Sequence, residues 1–136
     1  MTHKILHRNS MYETTNIDPA TMQHYRETAK RRFDALARHR DVRRTRAWEV
    51  ARAAGDVLRE CFAARRVWVF GSLLQDDLFH DHSDVDIAAW GLRQEDILKA
   101  VAAVTSLDPD ICVDLVVFED APERLRRTIQ AQGRPI

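Results

Sequence analysis

Asp84 and Asp86 flank Val85 at the head of Val85-Asp86-Ile87-Ala88-Ala89-Trp90, a run that reads as a strand entering a core. Side chains two apart on a strand share a face, so the two carboxylates project together while Val85 and Ile87 turn to the other side. Asp114 stands alone inside the apolar run "ICVDLVVF". A buried, unpaired carboxylate there would be destabilising, which predicts an Asp114 that needs a cation. If its strand neighbours that of Asp86, three carboxylates converge on one patch. Oxygen-only ligands of this kind suit Mg²⁺, which keeps positions open for water and phosphate oxygens. A pair of such ions about 4 Å apart stabilises the attacking and leaving oxygens of phosphoryl transfer.

Gly71-Ser72 supplies a second kind of chemistry. It follows the apolar run Val67-Trp68-Val69-Phe70 and precedes a stretch able to hold a helical turn or two, Leu73 to Leu78. Glycine lets backbone N–H groups approach a phosphate closely, serine adds a hydroxyl donor, and a following helix start favours negative charge. Five aspartates fall between Asp76 and Asp86. Asp76, Asp77 and Asp81 read as loop surface, whereas Asp84 and Asp86 are the pair aimed inward.

The elements that must position these residues follow from periodicity. Residues 1–17 read as a loose arm. Asp18-Pro19 starts a helix, with Asp as N-cap and Pro in the first helical position. Met22, Tyr25, Ala29, Phe33 and Leu36 recur at helical spacing, the stripe thins across "RHRDVRRTR", and it returns as Ala47, Ala51, Ala54, Leu58 and Cys61. No proline interrupts residues 20–108, so one long helix or two joined near residue 42 both fit. Strands are expected at 67–70, 85–90 and 111–118. His80 to Ser83 reads as loop. A helix is expected over 94–106 with Ile97, Leu98, Val101 and Val104 as its apolar stripe. A last helix opens at Ala121-Pro122, uses Leu125 and Ile129, and stops at Gly133. This order predicts a small α+β domain with a mixed sheet and helices on one face, plus an N-terminal helical extension. The boundary is placed between an arm and extension, residues 1–46, and a domain, residues 47–136.

Composition bounds the function. The 136 residues balance at zero net charge, yet the halves differ. Residues 1–66 hold 15 Lys and Arg against 8 acids, and residues 67–136 hold 6 against 13. That split reads first as a solvated Arg-rich helix beside an acidic metal site, and second as a helix that docks nucleic acid or an acidic protein. The arginines of residues 38–46 read as a solvated face. Cys61 and Cys112 lie in apolar surroundings without metal-ligand spacing, which predicts buried free thiols in a reducing cytoplasm. No apolar run approaches the roughly 18 residues of a membrane span, and the first residues lack the apolar core of a signal peptide. No membrane partner and a cytoplasmic location are expected.

Gly71-Ser72, eleven intervening residues, Asp84-Val85-Asp86 and then a strand Asp at Asp114 together resemble the nucleotidyltransferases of the DNA polymerase β superfamily. The segments "DLFHDHSDVDIAAWG" and "VDLVVFEDAPERLR" are similar to those of its minimal nucleotidyltransferases, the kind paired with HEPN toxins. The resemblance covers about residues 47–136. It implies that Asp84 and Asp86 bind two Mg²⁺ ions with the nucleoside triphosphate, and that Asp114 holds the catalytic metal and helps activate the acceptor hydroxyl. Gly71 and Ser72 would seat the phosphates. The implied reaction is transfer of a nucleoside monophosphate, AMP from ATP foremost, to a hydroxyl, with a tyrosine of a partner HEPN toxin as acceptor and an antitoxin role as the outcome. A catalytically weak antitoxin that acts by binding, and a nucleic-acid end-modifying transferase, are the alternatives. A homo-oligomer is compatible with so small a domain. One departure stands out: where such chains often continue GS-x-A-R-G, this one reads Leu73-Leu74-Gln75-Asp76. Gln75 replaces the arginine and Asp76 the glycine.

Overall fold

A computed structural model describes residues 17–75, 79 and 82–136. The described chain divides between Arg38 and His39 into two units. The chain begins its described part with one unbroken helix, α1 (Pro19–Phe62), rather than two. Its start is capped as the sequence predicts. The Asp18 carboxylate accepts from the Ala20 N–H at 2.7 Å and from the Thr21 hydroxyl at 2.6 Å, and Pro19 occupies the first helical position. The hydrogen bonds hold the Asp18 carboxyl below its ordinary pKa. The helix ends where Ala63 takes a left-handed φ of 55° and the Ala64 N–H bonds back to the Leu58 carbonyl.

The 39–136 unit is built on a four-stranded mixed sheet. Its strands are β1 (Arg66–Phe70), β2 (Val85–Trp90), β3 (Val113–Val117) and β4 (Arg134–Pro135), in the order β3-β2-β1-β4. β1 runs antiparallel to both β2 and β4, while β2 and β3 are parallel. Between β2 and β3 lies α2 (Ile97–Thr105), entered through one 3₁₀ turn at Gln94–Asp96. Between β3 and β4 lies α3 (Glu123–Gln132). The two-residue β4 was not expected from the sequence, because Gly133 to Ile136 is too short to show a period of two.

Strand alternation sorts the side chains into two clusters. Val67, Val69, Val85, Ile87, Ala89 and Val113 face Ala47, Val50, Ala51, Ala54 and Leu58 of α1 and Ala100 and Val104 of α2, forming the main core. The α1 residues fall at i, i+3, i+4, i+7 and i+11, one stripe of a 3.6-residue helix. Each fully buried Val, Ile or Leu contributes roughly 1.5–3 kcal/mol. The opposite sheet face carries Phe70, Ala88, Trp68, Trp90 and Val116, on which Ile129 and Leu125 of α3 pack. The long helix and α2 thus share one face, as expected, whereas α3, expected on that face too, covers part of the other because its Leu125 and Ile129 meet the outward Trp68, Phe70 and Trp90.

Several local expectations are corrected. Leu98 is 84% exposed. The buried stripe of α2 runs through Ala100 and Val104, and Leu98 lies two positions off that line, on the outer face. Both cysteines are exposed. Ile111 and Val113 point into the core, so alternation turns Cys112 outward; Cys61 is three residues beyond Leu58, the last buried residue of α1. Among the described residues, no helix is long and apolar enough to cross a membrane.

Candidate active site

The site is assembled by strand register. Phe70, the last residue of β1, pairs with Asp86, and Asp86 pairs in turn with Asp114 across the parallel β2–β3 ladder. Asp86 and Asp114 therefore stand side by side on the face opposite the main core, and Asp84 lies two residues before Asp86. Immediately after Phe70 the chain turns through Gly71–Leu74, a single 3₁₀ turn anchored by the fully buried Leu73. One turn is what the sequence allowed at the least, and residues 76–78 of the stretch from Leu73 to Leu78 lie outside the described residues.

Gly71 is required by two constraints at once. Its φ is +77°, a region that residues with a Cβ disfavour. A Cβ built on it would also run into Oδ2 of Asp86. The carboxylate of Asp86 thus reaches across from β2 to lie against the Gly-Ser turn. Gly71, Ser72 and Asp86 come together, with Asp114 and Asp84 on the flank.

The electrostatics mark the same cluster. The Asp86 carboxyl is pushed up to about 6, first by burial and then by the negative charges of Asp114 and Asp84. Among the described residues, no Lys or Arg forms an ion pair with any of the three. Equally, among the described residues no three His, Cys, Asp or Glu side chains lie close enough to hold an ion as a preformed cage. The donor set is nonetheless all carboxylate oxygen, half-buried at Asp86 and lacking its own countercharge, and it fits a hard divalent cation. The reason given for Asp114 needs correction. It is exposed, because β3 is the edge strand of the sheet and Asp114 faces away from the core. Asp86, on the inner strand, carries the burial penalty that the apolar run assigned to Asp114. Asp76, Asp77, Asp81 and His80 lie outside the described residues. Gln75 closes the 3₁₀ turn, its N–H donating to the Ser72 carbonyl at 3.1 Å.

Sequence reasoning missed the support of the turn. Arg44 of α1 donates from Nη2 to the Leu73 carbonyl at 3.1 Å. Its neighbour Arg43 donates to the Asp110 carbonyl at 3.2 Å. Arg46 meets the Asp108 carboxylate at 2.7 Å, and the Asp110 and Ile111 N–H groups donate to that same carboxylate. These arginines are not a solvated face. They tie α1 to the Gly-Ser turn and to the loop that feeds β3. The only sequence signal for them is that the apolar stripe thins where they occur.

With the geometry in hand, the comparisons identify the frame. The family model described as "Polymerase beta, Nucleotidyltransferase" matches residues 55–136. The chain belongs to this family. The matched span holds Gly71, Ser72, Asp84, Asp86 and Asp114 together. None of the curated proteins matches the chain. Among solved structures, a chain from "Crystal structure of the toxin-antitoxin with AMP-PNP" is 26% identical with a TM-score of 0.50, covering 59% of this chain and 66% of that one. The alignment thus spans just under two thirds of that relative. A chain described as a minimal nucleotidyltransferase is 23% identical with a TM-score of 0.45, covering 74% of this chain and 95% of that one. The architecture is the mixed-sheet α+β fold of polymerase β-type nucleotidyltransferases with an N-terminal helix.

Proposed function

We propose that this polymerase β-type nucleotidyltransferase moves a nucleoside monophosphate, AMP from ATP foremost, onto a hydroxyl of a partner protein, and that the acceptor is a tyrosine of a HEPN toxin for which the chain serves as antitoxin. The observation that carries the reading is the meeting of Asp86 with the Gly71-Ser72 turn, with Asp114 in register beside it. The likeness to a toxin–antitoxin structure holding AMP-PNP supports the choice of nucleotide and partner class. On this reading Asp84, Asp86 and Asp114 would hold Mg²⁺, two ions by the family's habit, which when bound neutralises triphosphate charge.

The chain's own residues do the rest. Gly71, lacking a Cβ, lets the Asp86 carboxylate lie against the turn, and the Ser72 hydroxyl offers a donor to phosphate oxygens. Asp114, exposed at the sheet edge, is accessible to an incoming acceptor and can take its hydroxyl proton. The acceptor oxygen forms a bond to the α-phosphorus, the bond to the β-phosphate oxygen breaks, and pyrophosphate leaves. Residues 47–136 would be the transferase domain and residues 1–46 the partner-facing extension, acting in the cytoplasm.

The test is label transfer from α-labelled ATP with Mg²⁺, with and without a HEPN protein encoded beside this chain's gene. Label on the partner that disappears with Asp84→Asn/Asp86→Asn supports the proposal. Absence of label, with no ATP binding by calorimetry, would leave a fold retained for contact. Two features favour that second reading, a binding antitoxin of weak activity: Gln75 stands where the GS-x-A-R-G pattern of the resemblance has an arginine, and α1 exposes Tyr25, Phe33 and Leu36. It requires that the aspartate variants still neutralise the toxin. Transfer to nucleic-acid ends remains the third outcome, read by label on RNA instead of protein.

A further inference from the structure

One groove on the 39–136 unit lies away from the acidic face. It has a volume of about 660 Å³ and runs between α1 and β4, lined by Arg44, Trp48, Arg52, Asp56, Arg59 and Arg134 together with the last two residues. That volume is typical of small-molecule sites, which run at about 300–1,000 Å³. Four arginines face one acid. Asp56 is already matched by Arg59 at 3.2 Å, and Arg59 also donates to the Ile136 main-chain oxygen at 2.6 Å. Among the described residues, neither Arg52 nor Arg134 is paired with a carboxylate. The groove therefore presents uncompensated guanidinium charge.

Its floor is aromatic. Trp48 is half-buried, its inner edge against the core and its outer face in the groove, and the Arg52 guanidinium sits 5.8 Å from the ring centroid. The Arg52 guanidinium lies over the half-buried indole, so a base stacking on the ring would displace it, and the displaced cation would meet the phosphate. An acidic peptide would use the charge and leave the flat ring without a role. The sheet order places this groove at the β4 edge, whereas Asp114 lies on β3 at the opposite edge. Arg44 links the groove to the catalytic turn, because the guanidinium that lines it also donates to the Leu73 carbonyl.

We infer that this groove is a second binding site for a nucleoside phosphate unit, with the base stacked on Trp48 and the phosphates held by Arg52 and Arg134. The unit comes either from a free mononucleotide or from a single-stranded RNA, and the chemistry recognised is the same. The inference does not depend on the transfer reaction, since none of these side chains belongs to the carboxylate cluster.

The test uses the full chain in EDTA, where the carboxylates have no ion with which to hold phosphate. Binding of 5′-fluorescein hexaadenylate RNA is followed by anisotropy between 50 and 200 mM salt, conditions over which phosphate contacts are revealed by their salt dependence. AMP serves as competitor. Wild-type affinity should fall as salt rises. Arg52→Ala/Arg134→Ala should weaken binding about tenfold or more and flatten the log–log salt slope by about 1.4, roughly 0.7 per lost contact on a single strand. Trp48→Leu, which keeps an apolar group against the core, should weaken binding at least about fivefold through lost stacking. Lys99→Ala, an exposed cation on α2 outside the groove, should bind as wild type. Displacement by AMP assigns the mononucleotide as the ligand unit, and its failure assigns the strand. No binding, equal binding by the double arginine variant, or an equal loss in Lys99→Ala would each overturn the inference. Melting temperatures of all variants separate lost binding from lost folding.

Discussion

Gly71 and Asp86 exclude each other's larger alternatives. The Asp86 carboxylate occupies the space that any Cβ at residue 71 would need, and the positive φ of Gly71 adds a second reason for glycine. A double-mutant cycle separates the two. Gly71→Ala should cost about 1–2 kcal/mol for the left-handed backbone and a further amount for the collision, about 2–4 kcal/mol in all. In an Asp86→Ala background the collision vanishes, and the cost of Gly71→Ala should shrink to about the backbone share of 1–2 kcal/mol. Denaturant midpoints of the four proteins give the coupling. Equal costs in both backgrounds would mean that the carboxylate does not lie against the turn.

The charge of Asp86 gives a pH dependence with a definite sign. Its carboxyl ordinarily titrates at 3.8 and in the folded protein at about 6. Between these values the folded state binds the proton more tightly, so stability falls as pH rises from about 4 to about 6 and stays lower above it. A fully buried group shifted by about two units would lose about 3 kcal/mol. Asp86 is partly solvated, and screening reduces this to about 1 kcal/mol. Metal-free Asp86→Asn should therefore melt higher than wild type at pH 7.5 and match it at pH 4. Added Mg²⁺ should raise the wild-type midpoint and leave Asp86→Asn nearly unmoved. A wild type as stable as Asp86→Asn at pH 7.5 would contradict the crowding of the three carboxylates.

Gly71-Ser72 and the Asp84–Asp86 pair were legible in the sequence because each is a short-range pattern: a glycine–serine break after a strand and a period-two pair of acids. The strand order was not. Which strand lies at the edge depends on β4, two residues long, and on the side of β1 to which it adds. That choice exposes Asp114 and moves the burial cost onto Asp86. The arginine ties were hidden for a related reason. Arg44 and Leu73 are 29 residues apart, and only packing of α1 across the sheet brings them within 3.1 Å. A run of arginines has the same composition whether it is solvated or anchored.

Arg44 should matter to the turn more than to the fold. The core residues of α1 are unaffected by its removal, so Arg44→Ala should lower the melting temperature modestly, in line with a lost charged hydrogen bond of about 1.5–3 kcal/mol. The turn carrying Gly71 and Ser72 would lose its tie to the helix. Nucleotide transfer should fall through a raised KM for the nucleotide. Arg44→Lys keeps the charge and loses the planar fork, and should recover only part of the loss. A melting temperature and KM both equal to wild type would show that Leu73 burial alone holds the turn.

Helix α1 ends on a residue poorly suited to its backbone. Ala63 sits at φ 55°, a left-handed conformation that glycine adopts without penalty and that terminates many helices. Ala63→Gly should stabilise the 39–136 unit by roughly 0.5–1 kcal/mol, the relief of the Cβ contact less the added freedom of the unfolded chain. Chemical denaturation measures it, and transfer activity should not change because Ala63 touches none of the site residues named above. Destabilisation would mean that the Ala63 methyl contributes packing worth more than the strain.

The exposed apolar residues of α1 make the last prediction. Tyr25, Phe33 and Leu36 are 58%, 65% and 57% exposed and recur at helical spacing, so they form one stripe on the helix surface. A helix that keeps aromatic residues in water gains by burying them, and aromatic anchors dominate binding energies where they are buried at an interface. If residues 1–46 face the toxin, Tyr25→Ala and Phe33→Ala should each weaken complex formation by about 2 kcal/mol, some thirtyfold. The melting transition of the 39–136 unit should stay where it is, since neither side chain belongs to its core. Affinity measured by calorimetry against the partner, beside Asp84→Asn/Asp86→Asn, then separates the two proposed roles. Contact through the stripe predicts weak binding with intact catalysis on a free acceptor peptide, whereas the aspartate pair predicts tight binding with no transfer. Unchanged affinity in both aromatic variants would remove this face of α1 from the interface.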